Sequence, residues 1–215
     1  MLVSFFHSLR STTPQDISLD EIVSMTRSDE KLRQYALKVG EYKANGEKDS
    51  IKRIKLLKLP AFAPGAYLLD GKSRENLIGL TGMCFIDIDH LSEEQISTII
   101  DRLRQDEHVI MMSRSVSGAG LHILIRYSLW SEDSLEVIGL TPKRINQVYG
   151  CVFKSTAAHY HEILSVPIDK CGMNAERLCL ISFDSDVYYN PDAIPLVFQY
   201  ERQKGNIKPK RYVEK

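Results

Sequence analysis

Apolar residues recur along this chain with two different periods, and the changes of period mark its elements. Leu2–Phe6 predicts a short edge-like strand. Leu19, Ile22 and Val23 then recur at helical spacing, and Ser28 is placed to cap a second helix carrying Leu32, Tyr35, Ala36 and Val39. Asn45-Gly46 is a turn signal. Over residues 50–59, Ile51, Ile54, Leu56 and Leu57 interleave with Lys52, Arg53, Lys55 and Lys58, until Pro60 and Pro64 end the run. A strand begins at Ala66, and Asp70-Gly71 turns the chain.

The middle of the chain is patterned more clearly. Residues 82–89 predict a strand, and Ser92 with Gln95 three residues later forms a capping box. Ile96, Ile99, Ile100 and Leu103 give the following helix one apolar stripe. Residues 109–112 predict a strand, Ser117-Gly118-Ala119-Gly120 a tight turn, and residues 121–127 a third strand, so a hairpin is expected here. Thr141-Pro142 opens a long helix with Ile145, Val148, Tyr149 and Val152 inward. Residues 177–183 read as a final apolar strand, Asn190-Pro191 turns the chain, and residues 201–215 read as a basic tail or linker. This irregular alternation predicts an α+β protein with helices packed on a mixed or antiparallel sheet.

Composition adds limits. The 215 residues suffice for one large domain or two small lobes with a shared core. Lys plus Arg and Asp plus Glu number 28 each, so no broad nonspecific coating of nucleic acid is expected, although a local basic groove is allowed. There is no apolar run long enough to span a membrane and no signal-peptide pattern at the N-terminus, so a cytoplasmic location is expected. The four cysteines contain no C-x-x-C pair and read as reduced thiols. A zinc site from Cys151, His159, His161 and Cys171 matches no common ligand spacing.

The strand at 82–89 carries the first chemistry. Side chains alternate along a strand, so Cys84, Ile86 and Ile88 face a core while Asp87 and Asp89 face the other way, roughly 6–7 Å apart. Carboxylates that close repel each other in a poorly hydrated setting, and a divalent cation removes the conflict. A pair of such ions can stabilise the attacking and leaving oxygens of a phosphoryl transfer. The same acids also read as a solvated strand end. In the second stretch, residues 113–123, Gly118 and Gly120 can let backbone N–H groups approach a phosphate, with Ser115, Ser117 and His122 as side-chain donors. A plain hairpin turn remains the other reading. In the third, Asp169 can supply a further carboxylate and Arg177 a bidentate phosphate contact. Asp184 and Asp186 read as turn acids and as rivals of Asp169 for the third ligand.

The ordered set Asp87-x-Asp89, Ser117-Gly-Ala-Gly-Leu-His122, then Ile168-Asp169 with Arg177 following, resembles the three motifs of the archaeo-eukaryotic primase (primase-polymerase) superfamily. Within it the chain is most similar to the VirE N-terminal-domain group of bacterial and mobile-element proteins. The lead-in Leu59-Pro60-Ala-Phe62-Ala-Pro64-Gly65 and the end Arg177-Leu178-Cys-Leu-Ile-Ser182-Phe-Asp184 share in that likeness, which spans roughly residues 55 to 192. Several members carry a serine two residues before the histidine, where this chain has Gly120.

The resemblance implies one catalytic domain over residues 1–200. An N-terminal α/β unit (1–80) and an RRM-like unit (81–200) would flank an active-site cleft. It implies a DNA-dependent primase or polymerase in which Asp87, Asp89 and Asp169 bind Mg2+ or Mn2+. Ser117, Gly118, Gly120, His122 and Arg177 would hold a nucleoside triphosphate. Lys52, Arg53, Lys55 and Lys58 are candidates for contacts to a single-stranded or primed DNA template, and a solvated helix face is their other reading. A helicase or ATPase domain, in the same or a neighbouring chain, is an implied partner.

Two rival classes stand beside this. A non-catalytic nucleic-acid-binding module would not need the acidic set, since bare carboxylates repel a phosphate backbone. A rolling-circle or relaxase-type nicking enzyme is suggested by His159-Tyr160-His161, but those residues lie in a stretch of helical period, 145–164.

Overall fold

The computed structural model describes residues 1–130, 140–203 and 206–212. In chain order the elements are β1 (Leu2–Phe6), β2 (Gln15–Ser18), α1 (Leu19–Ser28), α2 (Glu30–Ala44), α3 (Lys48–Leu57), β3 (Ala61–Ala63), β4 (Ala66–Leu68) and β5 (Leu77–Leu80). There follow β6 (Met83–Asp89), α4 (Glu93–Leu103), β7 (Val109–Arg114), β8 (Gly120–Trp130), α5 (Pro142–Leu164), β9 (Cys179–Leu180), β10 (Tyr188–Tyr189), β11 (Leu196–Gln203) and β12 (Asn206–Tyr212). The chain is α+β, as expected, with five α-helices among the described residues.

Helix starts follow local chemistry. Ser18 and Glu21 form a reciprocal capping box on α1, and Ser92 with Gln95 forms the expected one on α4. The α2 cap is Asp29 rather than Ser28. Asp29 Oδ1 accepts from Leu32 N at 2.9 Å, while the Ser28 hydroxyl is spent on Ser24 O inside α1.

Two sheets position the site. In the first, β2-β1-β3-β9, all pairings are antiparallel. In the second, β8 is central: it pairs antiparallel with β6 and with β7, β10 pairs with β7, and β11 runs parallel to the end of β8. The β7–β8 pair is the expected hairpin. Alternation on β6 sends Cys84, Ile86 and Ile88 into a core with Ile96, Ile99 and Leu103 of α4 and Val152 and Phe153 of α5. Met83 and Phe85 face the opposite way, into a second core with Val3, Phe5, Phe62 and Cys179 from the first sheet and its neighbours. Strand β6 is therefore sandwiched, and its acids lie where the second core stops.

Of the apolar run at 177–183, Cys179–Leu180 forms the strand paired with β3, and Ile181 N continues the contact by donating to Pro60 O at 2.9 Å. The tail also departs from the linker reading, as Asn206–Tyr212 pairs antiparallel with β11. Its Pro209 is compatible with an edge strand, which leaves one row of backbone groups outside the ladder. Residues 204–205 and 213–215 of that expected tail lie outside the described residues.

Candidate functional site

The register of the second sheet sets Asp87 directly opposite His122, and His122 opposite Ser113. Paired residues share a face, so the carboxylate and the imidazole stand side by side. His122 Nε2 lies 3.7 Å from Asp87 Oδ1, and its Nδ1 lies 3.4 Å from Cys179 Sγ. Its ring meets Phe85 edge-on, with centroids 5.6 Å apart.

Asp169 arrives from the other side for a backbone reason. One edge of β6 pairs with β8, and the other must find partners elsewhere. Tyr149 on α5 accepts from Phe85 N at 3.2 Å, and Asp169 N donates to Asp87 O at 3.0 Å. The segment after Asp169 lies so close to β6 that a Cβ on Gly172 would fall 2.4 Å from Phe85 O. Glycine is required there by contact, not by turn geometry. The Asp169 carboxylate caps the short turn that follows by accepting from Cys171 N at 2.8 Å. This brings the Cys171 thiol to 3.6 Å from Asp87 Oδ2, as a donor.

Asp87, Asp169 and Cys171 thus offer ligand atoms that all lie within 4.8 Å of one another. As a site residue, Cys171 enters the sequence reading only in the zinc grouping with Cys151, His159 and His161, not beside these carboxylates. The sequence Asp169-Lys-Cys-Gly allows the Asx-turn closed by Cys171 N, but nothing local places it beside Asp87. The zinc grouping of Cys151, His159, His161 and Cys171 does not form among the described residues. His161 Nδ1 pairs with Val166 O at 2.7 Å, and Cys171 turns to the carboxylates instead. Tyr160 is fully buried, with its hydroxyl donating to Asp106 Oδ2 at 2.8 Å.

Burial sets the protonation of the pair. The Asp87 side chain is 13% exposed, and Oδ1 is buried with no hydrogen-bond partner among the described residues. Burial and then the neighbouring Asp89 charge push its carboxyl up to about 6, against a smaller opposing pull from the Cys171 donor. The His122 side chain is 11% exposed. Burial, followed by Lys55 and Arg177, pushes its imidazolium down to about 4. At neutral pH His122 is therefore uncharged, and its contact with Asp87 is a meeting of dipole and carboxylate rather than an ion pair. The Cys171 thiol is pushed up to about 12, first by burial and then by Asp87, so it stays protonated beside the carboxylate.

A pocket of about 180 Å³ opens over these groups, lined by Asp87, Asp89, His122, Arg177, Lys55 and the Ser115 and Ser117 region among others. Lys55 comes from α3, so the basic helix reaches the site through this one side chain. Lys52, Arg53 and Lys58 are exposed and do not line the pocket.

The glycine-rich turn has a different part from the one expected. Gly118 has φ +72°, and its N–H is spent on Ser115 O at 2.9 Å, so it closes the turn rather than facing a phosphate. Gly120 packs on β6, where an added Cβ would lie 2.4 Å from Ile88 O. The hydroxyls of Ser115 and Ser117, 3.2 Å apart, are what the turn presents to the pocket. Asp184 is a turn acid: it accepts from Arg114 N at 2.7 Å and Asp186 N at 3.0 Å. Asp169, not Asp184, stands beside Asp87.

Residues 55–189 match the model of one protein family, described as BT4734-like, N-terminal domain. That is well over half of the chain, and the chain belongs to this family. The match contains every pocket side chain named above. No curated protein and no solved structure matches the chain. Among the described residues, no helix is long and apolar enough to cross a membrane.

Proposed function

We propose that this chain is the catalytic domain of a DNA-dependent primase or polymerase. It would be related to the primase-polymerase superfamily and its VirE N-terminal-domain group, acting in the cytoplasm on chromosomal or mobile-element DNA. The observation that carries the reading is convergence on Asp87 of stretches far apart in the chain. Asp89 shares its strand, His122 stands opposite, Asp169 is hydrogen-bonded to its backbone, and Arg177 lines the same pocket.

The unpartnered Asp87 Oδ1 supports the fit of a divalent cation, Mg2+ or Mn2+, held by Asp87 and Asp169 with Asp89 beside them. Bound there, such an ion supplies Lewis-acid stabilisation of negative charge on a transferring phosphoryl group. Neutral His122 can donate one N–H to a triphosphate oxygen without bringing a second buried charge. Arg177 and Lys55 supply positive charge to the pocket, and the Ser115 and Ser117 hydroxyls add neutral donors. Together they hold a nucleoside triphosphate in place for attack. Lys52, Arg53 and Lys58 extend the positive surface of α3 away from Lys55, toward a template strand.

Apart from β9, which joins the first sheet, the succession β6-α4-β7-β8-α5-β10 follows the β-α-β-β-α-β order and supports the RRM-like reading of the second unit. Because β10 lies beside β7, the free edge of β6 is left for the Asp169 segment. The pocket between that sheet and α3 is the proposed active-site cleft, and a helicase or ATPase domain is the proposed partner.

The test is incorporation of a labelled ribo- or deoxynucleotide on single-stranded and primed DNA, with Mg2+ or Mn2+. Incorporation that stops on chelation is expected. Nucleic-acid binding without incorporation under both metals would favour the non-catalytic module instead.

A further inference from the structure

Three pockets adjoin one another along this molecule, and adjoining pairs share residues. The site pocket of about 180 Å³ and a second of about 400 Å³ are both lined by Arg177, Leu178 and Leu180. The second and a third of about 300 Å³ are both lined by Asn174. The third lies along α5, where Arg144 and Lys154, ten residues apart, fall on one face of the helix. The site pocket alone is smaller than the roughly 300–1,000 Å³ of sites that enclose a whole small ligand. What enters it therefore continues outside.

Charge says what continues. Each pocket carries cationic side chains: Lys55 and Arg177 in the first, Lys72 and Arg177 in the second, Arg144 and Lys154 in the third. The one acid lining the second, Glu176, is paired with Arg74 at 3.6 Å, and no acid lines the third among the described residues. The chain as a whole is electrically balanced, so this succession of cations is a local feature. Apolar walls alternate with it: Leu9 and Leu178 in the second pocket, Met173 in the third. A polymer with one anion and one flat apolar ring per unit has that alternation. A base-paired duplex hides its rings, so the match is to a single strand.

We propose that single-stranded nucleic acid runs from the carboxylate pocket past Arg177 and Lys72 to the Arg144–Lys154 face of α5. This deepens the polymerase reading, on which it rests, by adding to the Lys52–Lys58 surface a path for the strand along pockets those side chains do not line. Neither Arg144 nor Lys154 is part of the catalytic pocket. Among the described residues Arg144 bonds only its helix neighbour Gln147, at 3.3 Å, and Lys154 is exposed, so their loss leaves the fold intact.

The experiment is the salt dependence of binding to a fluorescent oligothymidylate by the whole chain, by Arg144→Ala/Lys154→Ala, and by Lys143→Ala. Lys143 lies on the same helix but outside the pocket. Each phosphate contact on a single strand contributes about 0.7 to the slope of log K against log salt, so the double variant should lose about 1.4. Lys143→Ala should keep the slope of the unaltered chain, and melting temperatures should be equal in all three. An unchanged slope in the double variant, an equal loss in Lys143→Ala, or no binding by the unaltered chain would overturn the proposal. Loss of slope in a chain that incorporates no nucleotide would sink the polymerase reading and leave the track standing.

Discussion

Replacing Asp87 by asparagine should make the metal-free protein more stable while removing its proposed activity. The Asp87 carboxyl is held at about 6 in the folded chain against an ordinary value of 3.8, chiefly by burial. Below about pH 4 the folded and unfolded chains both hold the proton, and there is no cost. As pH rises from about 4 to about 6 the unfolded chain releases its proton first, so stability falls through that window. Above it the full cost applies. Each pH unit between the two values is worth about 1.4 kcal/mol, which makes the cost about 3 kcal/mol at neutral pH. An asparagine of the same shape carries no charge to bury and should recover about 2–3 kcal/mol, or roughly 5–10 °C of melting temperature for a chain of this length. The assay is thermal unfolding of both proteins in chelator at about pH 7.5 and about pH 4. A gain at the higher pH that disappears at the lower one is expected. An asparagine variant that melts at or below the unaltered protein at pH 7.5, or whose gain persists undiminished at pH 4, would refute the reasoning.

Two further outcomes follow from contacts in the site. Among the described residues Cys171 is the soft donor whose sulfur is grouped with the Asp87 and Asp169 oxygens, so Cys171→Ser should weaken Cd2+ binding by on the order of tenfold while leaving Mg2+ affinity nearly unchanged, as measured by calorimetry. Equal affinity of both proteins for Cd2+ would remove Cys171 from the site. Gly120→Ala puts a methyl 2.4 Å from Ile88 O, and denaturant unfolding should show a loss of about 1–3 kcal/mol, since two paired strands would have to part. A neutral effect would mean that β8 can shift freely against β6.

Much of the frame was legible in the sequence because it depends on local chemistry. The Ser92–Gln95 box, the period of α5 and the alternation of Cys84, Ile86 and Ile88 are each fixed within a few residues, and each stands as expected. What the pattern could not carry was edge satisfaction and close approach. That Asp169 sits by Asp87 follows from an unpaired carbonyl on β6, and no local signal announces which carbonyl a distant loop will meet. For the same reason Cys171 passed for an ordinary thiol, and Gly118 for a phosphate cradle although its N–H closes its own turn. Ser28 lost the α2 cap because its hydroxyl had a nearer acceptor in Ser24 O, which leaves Asp29 to take it. Of the four basic residues on and after α3, only Lys55 points into the pocket; helical spacing alone did not single it out.

The central claim is that Asp87 and Asp89 serve nucleotidyl transfer. Its most direct test is primer extension by the unaltered chain and by the Asp87→Ala/Asp89→Ala variant, side by side with Mn2+, a labelled nucleotide and a primed template. Metal-dependent extension by the first and none above background by the second is the predicted result. Extension by the double variant at the unaltered rate would contradict the account.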